Sequence, residues 1–164
     1  MTRGFARNGR PVLVGAVAAI AVASLGAWIT DLSPWYYGLQ QPPWKPPDWL
    51  FGPAWTTIFT LTAIAGIRAW RRIRDTAMRR RLMELFALNG VLNIVWSVLF
   101  FRLQRPDWSL KEAVALWASI AWLIVAVWPH ERAAAALLLP YLAWVTFAAV
   151  LNAAVVELNG PFTP

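Results

Sequence analysis

The sequence predicts an all-α membrane protein: a bundle of five transmembrane helices with a Pro/Trp-rich loop between the first and the second. Three observations carry this reading. Of 164 residues, 59% are hydrophobic and only 14% charged, where an ordinary soluble domain carries about 25% charge. Uncharged stretches recur five times, each near the roughly 20 helical residues that cross a hydrocarbon core of about 30 Å. Lys and Arg gather in the joints between these stretches, the pattern expected when a bilayer is the solvent. Topology therefore accounts for the net charge of +7, and no nucleic-acid partner is expected. A β-barrel is excluded because Gly15 to Leu25 and Ala113 to Val127 are apolar on every face instead of alternating. Without Cys, and with His130 as the only His, the chain offers no disulfide, thiolate nucleophile or His cluster for a metal.

The chain reads as a single transmembrane domain, residues 1–164, with spans near 11–30, 49–67, 83–103, 112–129 and 133–156. Ahead of the first span, Arg3, Arg7 and Arg10, with Ala21-Val-Ala23 beyond, imitate a secretory signal. The apolar run continues through Trp28 and Ile29, which suits a spanning helix better. Gly15, Ala19, Ala23 and Ala27 form a small-residue face suited to close helix packing or a dimer contact. The connection Asp31 to Asp48, DLSPWYYGLQQPPWKPPD, holds five of the twelve prolines and is expected to be stiff and non-helical. It would act as a lid, holding Trp35, Tyr36, Trp44 and Trp49 at the interface with little ordering entropy left to lose. The joint from Arg68 to Glu84 carries seven Arg opposed only by Asp75 and Glu84, which topology and anionic headgroups explain. The third span is short and recruits Leu82, Met83 or Leu103 while Arg102 snorkels. Pro129-His-Glu-Arg132 is too short to join anything but antiparallel neighbours, and His130 is read as a polar turn residue. Eleven of the fifteen Lys and Arg then fall on the side of the N-terminus, which the positive-inside rule places in the cytoplasm of a bacterial cell. The short polar ends leave no room for an output domain, so any signal is expected to pass through partners or ligand level.

Within the uncharged runs at 11–30, 49–67, 85–101, 113–130 and 133–156 no Asp, Glu or Lys occurs, which disfavours proton-coupled transport and general acid–base chemistry. No Ser/His/Asp grouping, phosphate loop or metal-ligand spacing appears, and Ser97 and Ser119 read as packing hydroxyls. What remains is aromatic and amide chemistry. Asn89, Asn93, Trp96 and Phe100 stack along one face of the third helix; Tyr141, Trp144, Ala148 and Asn152 share a face of the fifth; Trp55, Phe59 and Gly66 share one on the second. Interhelical hydrogen bonds are one use for Asn93 and Asn152. A cavity for a planar apolar ligand, with aromatic walls and a few polar edges, is the other.

Trp35-Tyr-Tyr-Gly-Leu-Gln-Gln-Pro, Pro43-Trp-Lys-Pro-Pro-Asp-Trp and Gly52-Pro-Ala-Trp55, followed by Asn93-Ile-Val-Trp96, Phe100-Phe101, Pro140-Tyr-Leu-Ala-Trp144 and Leu151-Asn152, resemble the tryptophan-rich sensory protein/translocator protein family. That family includes the peripheral-type benzodiazepine receptor. The resemblance implies a five-helix bundle, commonly a homodimer, with a pocket beneath the first loop that binds porphyrins such as protoporphyrin IX and haem as ligands. No cofactor is required. It assigns Trp35 and Tyr36 to the lid, Trp55 and Asn93 to the pocket wall and Trp144 to the opposing wall. Phe59, Trp96, Phe100, Tyr141 and Ala148 complete the candidate ligand-binding set. No catalytic residue is assigned, although Trp35 and Trp144 match positions implicated in porphyrin photochemistry. The expected role is a membrane receptor or sensor with a regulatory or stress-related function; the alternatives are a porphyrin or amphiphile exporter and a light-dependent porphyrin-degrading enzyme. Four departures qualify the transfer. Gln41 replaces a frequent Lys, Phe59 replaces a frequent Tyr, and Ser97-Val98 replaces a frequent Pro-Pro that would bend the third helix. After Leu151 the Tyr and basic residue of the weak cholesterol-contact pattern are missing, so sterol recognition is expected to be poor.

Overall fold

The computed structural model describes residues 17, 21–22, 24–26, 28–30 and 32–162. The described residues between 17 and 29 are helical, and Thr30 closes them off by donating from its N–H and Oγ1 to the Gly26 carbonyl at 2.9 and 2.8 Å. Most of the expected first span, with Gly15, Ala19, Ala23 and Ala27, lies outside the described residues. Six helices follow: α1 (Pro34–Gly38), α2 (Phe51–Arg72), α3 (Thr76–Ser97), α4 (Pro106–Val127), α5 (Arg132–Ala136) and α6 (Leu139–Asn159). Among the described residues there is no strand, and four runs are long and apolar enough to cross a membrane: Asp48–Arg72, Thr76–Arg102, Pro106–Val127 and Arg132–Asn159. Among the described residues the spans number four where five were expected, the first expected span lying mostly outside them.

Each element departs from its expected form for a local reason. The loop expected to be non-helical contains α1, because Pro34 occupies the first helical turn, where its missing N–H costs nothing and its fixed φ favours a helix. Asp75 caps α3, its carboxylate accepting from the backbone N–H of Ala77 and Met78, both at 3.2 Å. The third span carries no proline, yet it widens into a π-turn over Val98–Arg102, with Leu103 N–H donating to the Val98 carbonyl at 2.9 Å. A π-turn inserts an extra residue, and so re-aims the side chains beyond it. Gln104 at φ 54° then reverses the chain. With Pro106 at its first turn, α4 starts six residues ahead of the expected 112 and draws Asp107 and Lys111 into the helix. The last span, expected to be continuous over 133–156, breaks between α5 and α6 because Pro140 cannot donate to the preceding turn.

Helix α4 packs along both α3 and α6. The helical residues near the N-terminus approach α3 at Gly90, where a Cβ would lie 3.3 Å from Val22 Cγ2. Arg102 donates to the Trp28 carbonyl at 2.8 Å, placing a cation at the C-terminal end of that first helical stretch. At the Arg-rich end, Ala65, Ala69, Leu82, Leu123, Val127, Ala134, Ala135 and Leu138 form a sealed aliphatic core. Beside it Glu131 joins α2 to the α4–α5 turn, accepting from Arg68 at 2.8 Å and Arg72 at 3.0 Å. His130 is exposed in that turn.

Candidate functional site

The other end of the bundle is built from rings. On α2, Trp55 and Phe59 are one turn apart and stack at 5.2 Å. Trp55 meets Tyr141 and Trp144 of α6 edge-on at 6.1 and 6.4 Å, and Trp144 in turn meets Phe51 at 5.6 Å. A second set of rings starts with Trp96 of α3, stacked on Phe100 at 5.2 Å. The π-turn presents the consecutive rings Phe100 and Phe101 toward α1, where they meet Trp35 and Tyr36, each at 6.0 Å. Between the two sets lies a cavity of about 20 Å³, lined by Trp55, Asn93, Trp96, Ala113, Leu116, Val145, Ala148 and Ala149.

The buried amides are tied between helices. Asn93 donates to the Tyr141 hydroxyl at 3.3 Å, and Asn89 donates to Ser119 Oγ at 2.9 Å. In the amide orientation that gives each atom a partner, the Asn152 oxygen accepts from Ser109 Oγ at 2.8 Å and Leu110 N–H at 3.1 Å, while its nitrogen donates to the Pro106 carbonyl at 3.0 Å. Interhelical bonding, one of the two uses expected for Asn93 and Asn152, is therefore present. Asn93 also lines the cavity, so for that residue the two uses coexist.

The Pro-rich loop closes over this end and is pinned at two points. Asn159, at the last turn of α6, accepts from the Gln40 N–H at 2.8 Å and donates to the Gln40 carbonyl at 2.9 Å. Buried Tyr36 donates to the Asp48 carboxylate at 2.8 Å, and Lys45 reaches the same carboxylate. Burial first, and the Asp48 hydrogen bond second, push the Tyr36 phenol well above the ordinary tyrosine range, so it remains a donor. Trp44 rests edge-on against Phe147 of α6 at 6.0 Å.

Of the ten residues expected at the site, Trp55, Asn93, Trp96 and Ala148 line the cavity. Phe59, Tyr141 and Trp144 stand around Trp55, while Phe100, Trp35 and Tyr36 belong to the rings below the lid. Trp35 also borders an open depression of about 530 Å³, shared with Gln104, Arg105, Trp108 and Phe162. There Arg105 is held by Asp107 in a two-pronged ion pair at 2.6 and 2.8 Å and stacks on Trp108. Trp35 and Trp144, the pair expected to serve photochemistry, fall in different aromatic sets. Ala113, Leu116, Val145 and Ala149 were not among the expected lining residues: small or aliphatic side chains on all-apolar helices carry no signal of which face is inside. Glu112 was also missed. It lies in the spanning helix α4, ahead of the uncharged run that starts at Ala113, which corrects the expectation of spans without acidic residues, and both carboxyl oxygens are buried without a hydrogen-bond partner. The Trp144 indole N–H is likewise buried and unpartnered.

Comparison with known proteins fits this architecture. Residues 13–158 match the TspO/MBR family. The tryptophan-rich protein TspO of Archaeoglobus fulgidus is 38% identical over 147 residues, covering 87% of this chain and 93% of that protein. The translocator protein of Sus scrofa is 33% identical over 149 residues, covering 87% and 88%. The tryptophan-rich sensory protein of Cereibacter sphaeroides is 30% identical over 139 residues, covering 85% of each. With nearly its whole length matched and its Trp-rich loop closing one end of an apolar helical bundle, the chain belongs to the TspO/MBR family of membrane proteins.

Proposed function

We propose that this protein is a membrane receptor for planar hydrophobic ligands, with tetrapyrroles such as protoporphyrin IX and haem as the leading class and a regulatory or stress-related role. The observation that carries the reading is the cavity between Trp55 and Trp96, with the Asn93 amide at its edge and a pinned lid at the same end of the bundle. Indole faces stack a flat ring system, and a buried amide or indole N–H fixes its orientation. At about 20 Å³ the cavity holds one water at most, whereas a site for a drug-sized ligand measures roughly 300–1,000 Å³. Ligand entry therefore requires the two sets of rings to part and the lid to yield, so binding is coupled to a conformational change. Such coupling suits a sensor, in which occupancy alters the shape of a lid-bearing surface. In this reading the N-terminus and the Arg-rich end face the cytoplasm, a reading supported by their excess of basic residues. In this reading the protein is a homodimer in lipid.

The test is a titration of the purified protein with protoporphyrin IX in the dark, following Trp quenching with inner-filter correction. Wild type is expected to give saturable one-site binding. Trp144→Phe and Asn93→Ala, each checked for folding, are expected to weaken it by about 1 kcal/mol or more. Non-saturating quenching that ignores both substitutions would mean partitioning into detergent and would overturn the reading.

A further inference from the structure

Between α3, α4 and α6 nearly every buried polar side chain is paired: Asn89 with Ser119, Asn93 with Tyr141, and Asn152 with Ser109. Among the described residues of these helices the exceptions are the Trp144 indole N–H and the Glu112 carboxylate, of which both oxygens are buried and unbonded. A carboxyl group taken out of water without a donor carries one of the largest penalties a side chain can impose on a fold. It is not one of the residues lining the cavity, and its place beside them follows from register. Glu112 directly precedes Ala113 and lies one turn from Leu116, two of the lining residues. From the Asn89–Ser119 bond between the antiparallel helices, two turns along each lead to Trp96 on α3 and Glu112 on α4, at the same level.

None of the residues lining the cavity is a cation. The basic groups at this end face other partners or the surroundings: Arg105 is held by Asp107, Arg102 donates to the Trp28 carbonyl, Lys45 is bound to Asp48, and Lys111 is exposed. Among the described residues no basic side chain pairs with Glu112, so a positive partner would be one the protein itself does not supply. The neighbouring walls favour the same charge, because the faces of Trp55 and Trp96 attract cations through their ring quadrupoles.

We propose that Glu112 is the polar contact for a cationic aromatic amphiphile, a ligand with a flat apolar body and an ammonium or similar N–H donor at one edge. In the low dielectric of the bundle an N–H donor of positive charge meeting a carboxylate forms a short, strong hydrogen bond, and the flat body occupies the space between the two indoles. An anionic edge, such as the propionates of a porphyrin, is turned away from α4 by the same carboxylate. The inference rests on the cavity being a ligand site and adds the charge it selects.

The experiment uses the full chain in phosphatidylcholine nanodiscs and two probes of nearly equal shape, 1-pyrenemethylammonium and 1-pyrenemethanol. Energy transfer from Trp to pyrene is followed at neutral pH, with empty nanodiscs subtracted. Wild type is expected to bind the ammonium probe about tenfold more tightly than the alcohol. Glu112→Gln is expected to remove that preference, and Glu112→Asp to retain part of it. Equal affinity of the two probes for wild type, or a preference that survives in Glu112→Gln, overturns the assignment of Glu112 and leaves the cavity standing as a site. Failure of both probes to saturate overturns the cavity reading and this inference with it. Should a variant not fold, equal affinity of the two probes for wild type still overturns the inference.

Discussion

The two ends of the bundle share α2, α3, α4 and the α5–α6 pair, yet they are packed by different means. At the Arg-rich end Ala65, Ala69, Ala134 and Ala135 are fully buried, and Leu82, Leu123 and Leu138 fill the space that their small side chains leave. Small residues let helix backbones approach closely, and flexible aliphatic chains then pack to crystal-like density. At the lid end the same helices are spaced by Trp, Tyr and Phe. Rings prefer offset stacks and edge contacts, so rigid planes meeting at the angles seen here, from 20° to 82°, cannot tile space completely. The cavity, the unpartnered Glu112 carboxyl and the unpartnered Trp144 indole N–H occur at this end. In the proposed function, stability is concentrated at one end and recognition at the other, an arrangement that would let the rings rearrange around a ligand without loosening the scaffold.

Truncation in the aliphatic core should break this division most severely. Leu123→Ala, at a fully buried position, is expected to cost about 2 kcal/mol, toward the low end for such a change because lipid already solvates the apolar side chain of the unfolded reference. Unfolding in mixed micelles would measure it, and ligand affinity of the folded fraction should be unchanged. At the opposite end, Asn159→Ala removes two hydrogen bonds from the lid, about 1 kcal/mol each. It is expected to speed ligand dissociation by about tenfold or more, with faster amide exchange at Gln40 and a smaller effect on unfolding. Gln104→Gly should act in the stabilising direction by up to about 1 kcal/mol, because φ 54° burdens every residue with a Cβ. A raised melting temperature would show it. The smallest expected effect is acid sensitivity of the Arg-rich end. Hydrogen bonding to Arg68, with Coulombic help from Arg68 and Arg72, holds the Glu131 carboxyl below its ordinary range. A depressed folded-state value gives stability that is fully present above the unfolded pKa of about 4.3 and fades as pH falls through the folded value. The clamp should therefore be indifferent to pH near neutrality and weaken in acid. Glu131→Gln would remove that acid-dependent step from the unfolding curve, and leave the lid end unaffected.

The amino-acid sequence by itself determined that this chain is helical and built for a bilayer, because uninterrupted apolar length and the segregation of Arg are properties of composition and order alone. It also determined which rings could share a face, since the spacing of Asn93, Trp96 and Phe100, or of Tyr141, Trp144 and Ala148, follows from the helical period. It did not determine where helices begin and bend. Two elements show why. The start of α4 at Pro106 brings Asp107 and Lys111 into a spanning helix, which a division of the chain at charged residues must miss. The π-turn at Val98–Arg102 arises with no proline or glycine to announce it. Nor could periodicity choose the partners of a face on helices that are apolar all round, so Ala113, Leu116, Val145 and Ala149 emerged as cavity walls only when α4 was seated between α3 and α6. Only tertiary structure decided that four of the ten expected residues meet at one cavity, that the lid is strapped to Asn159, and that a carboxylate lies sealed beside the aromatic rings. The physical reason is range: helical length and facing are set by neighbours within a turn or two, whereas cavities and unpaired groups depend on how distant helices fail to fill the space between them.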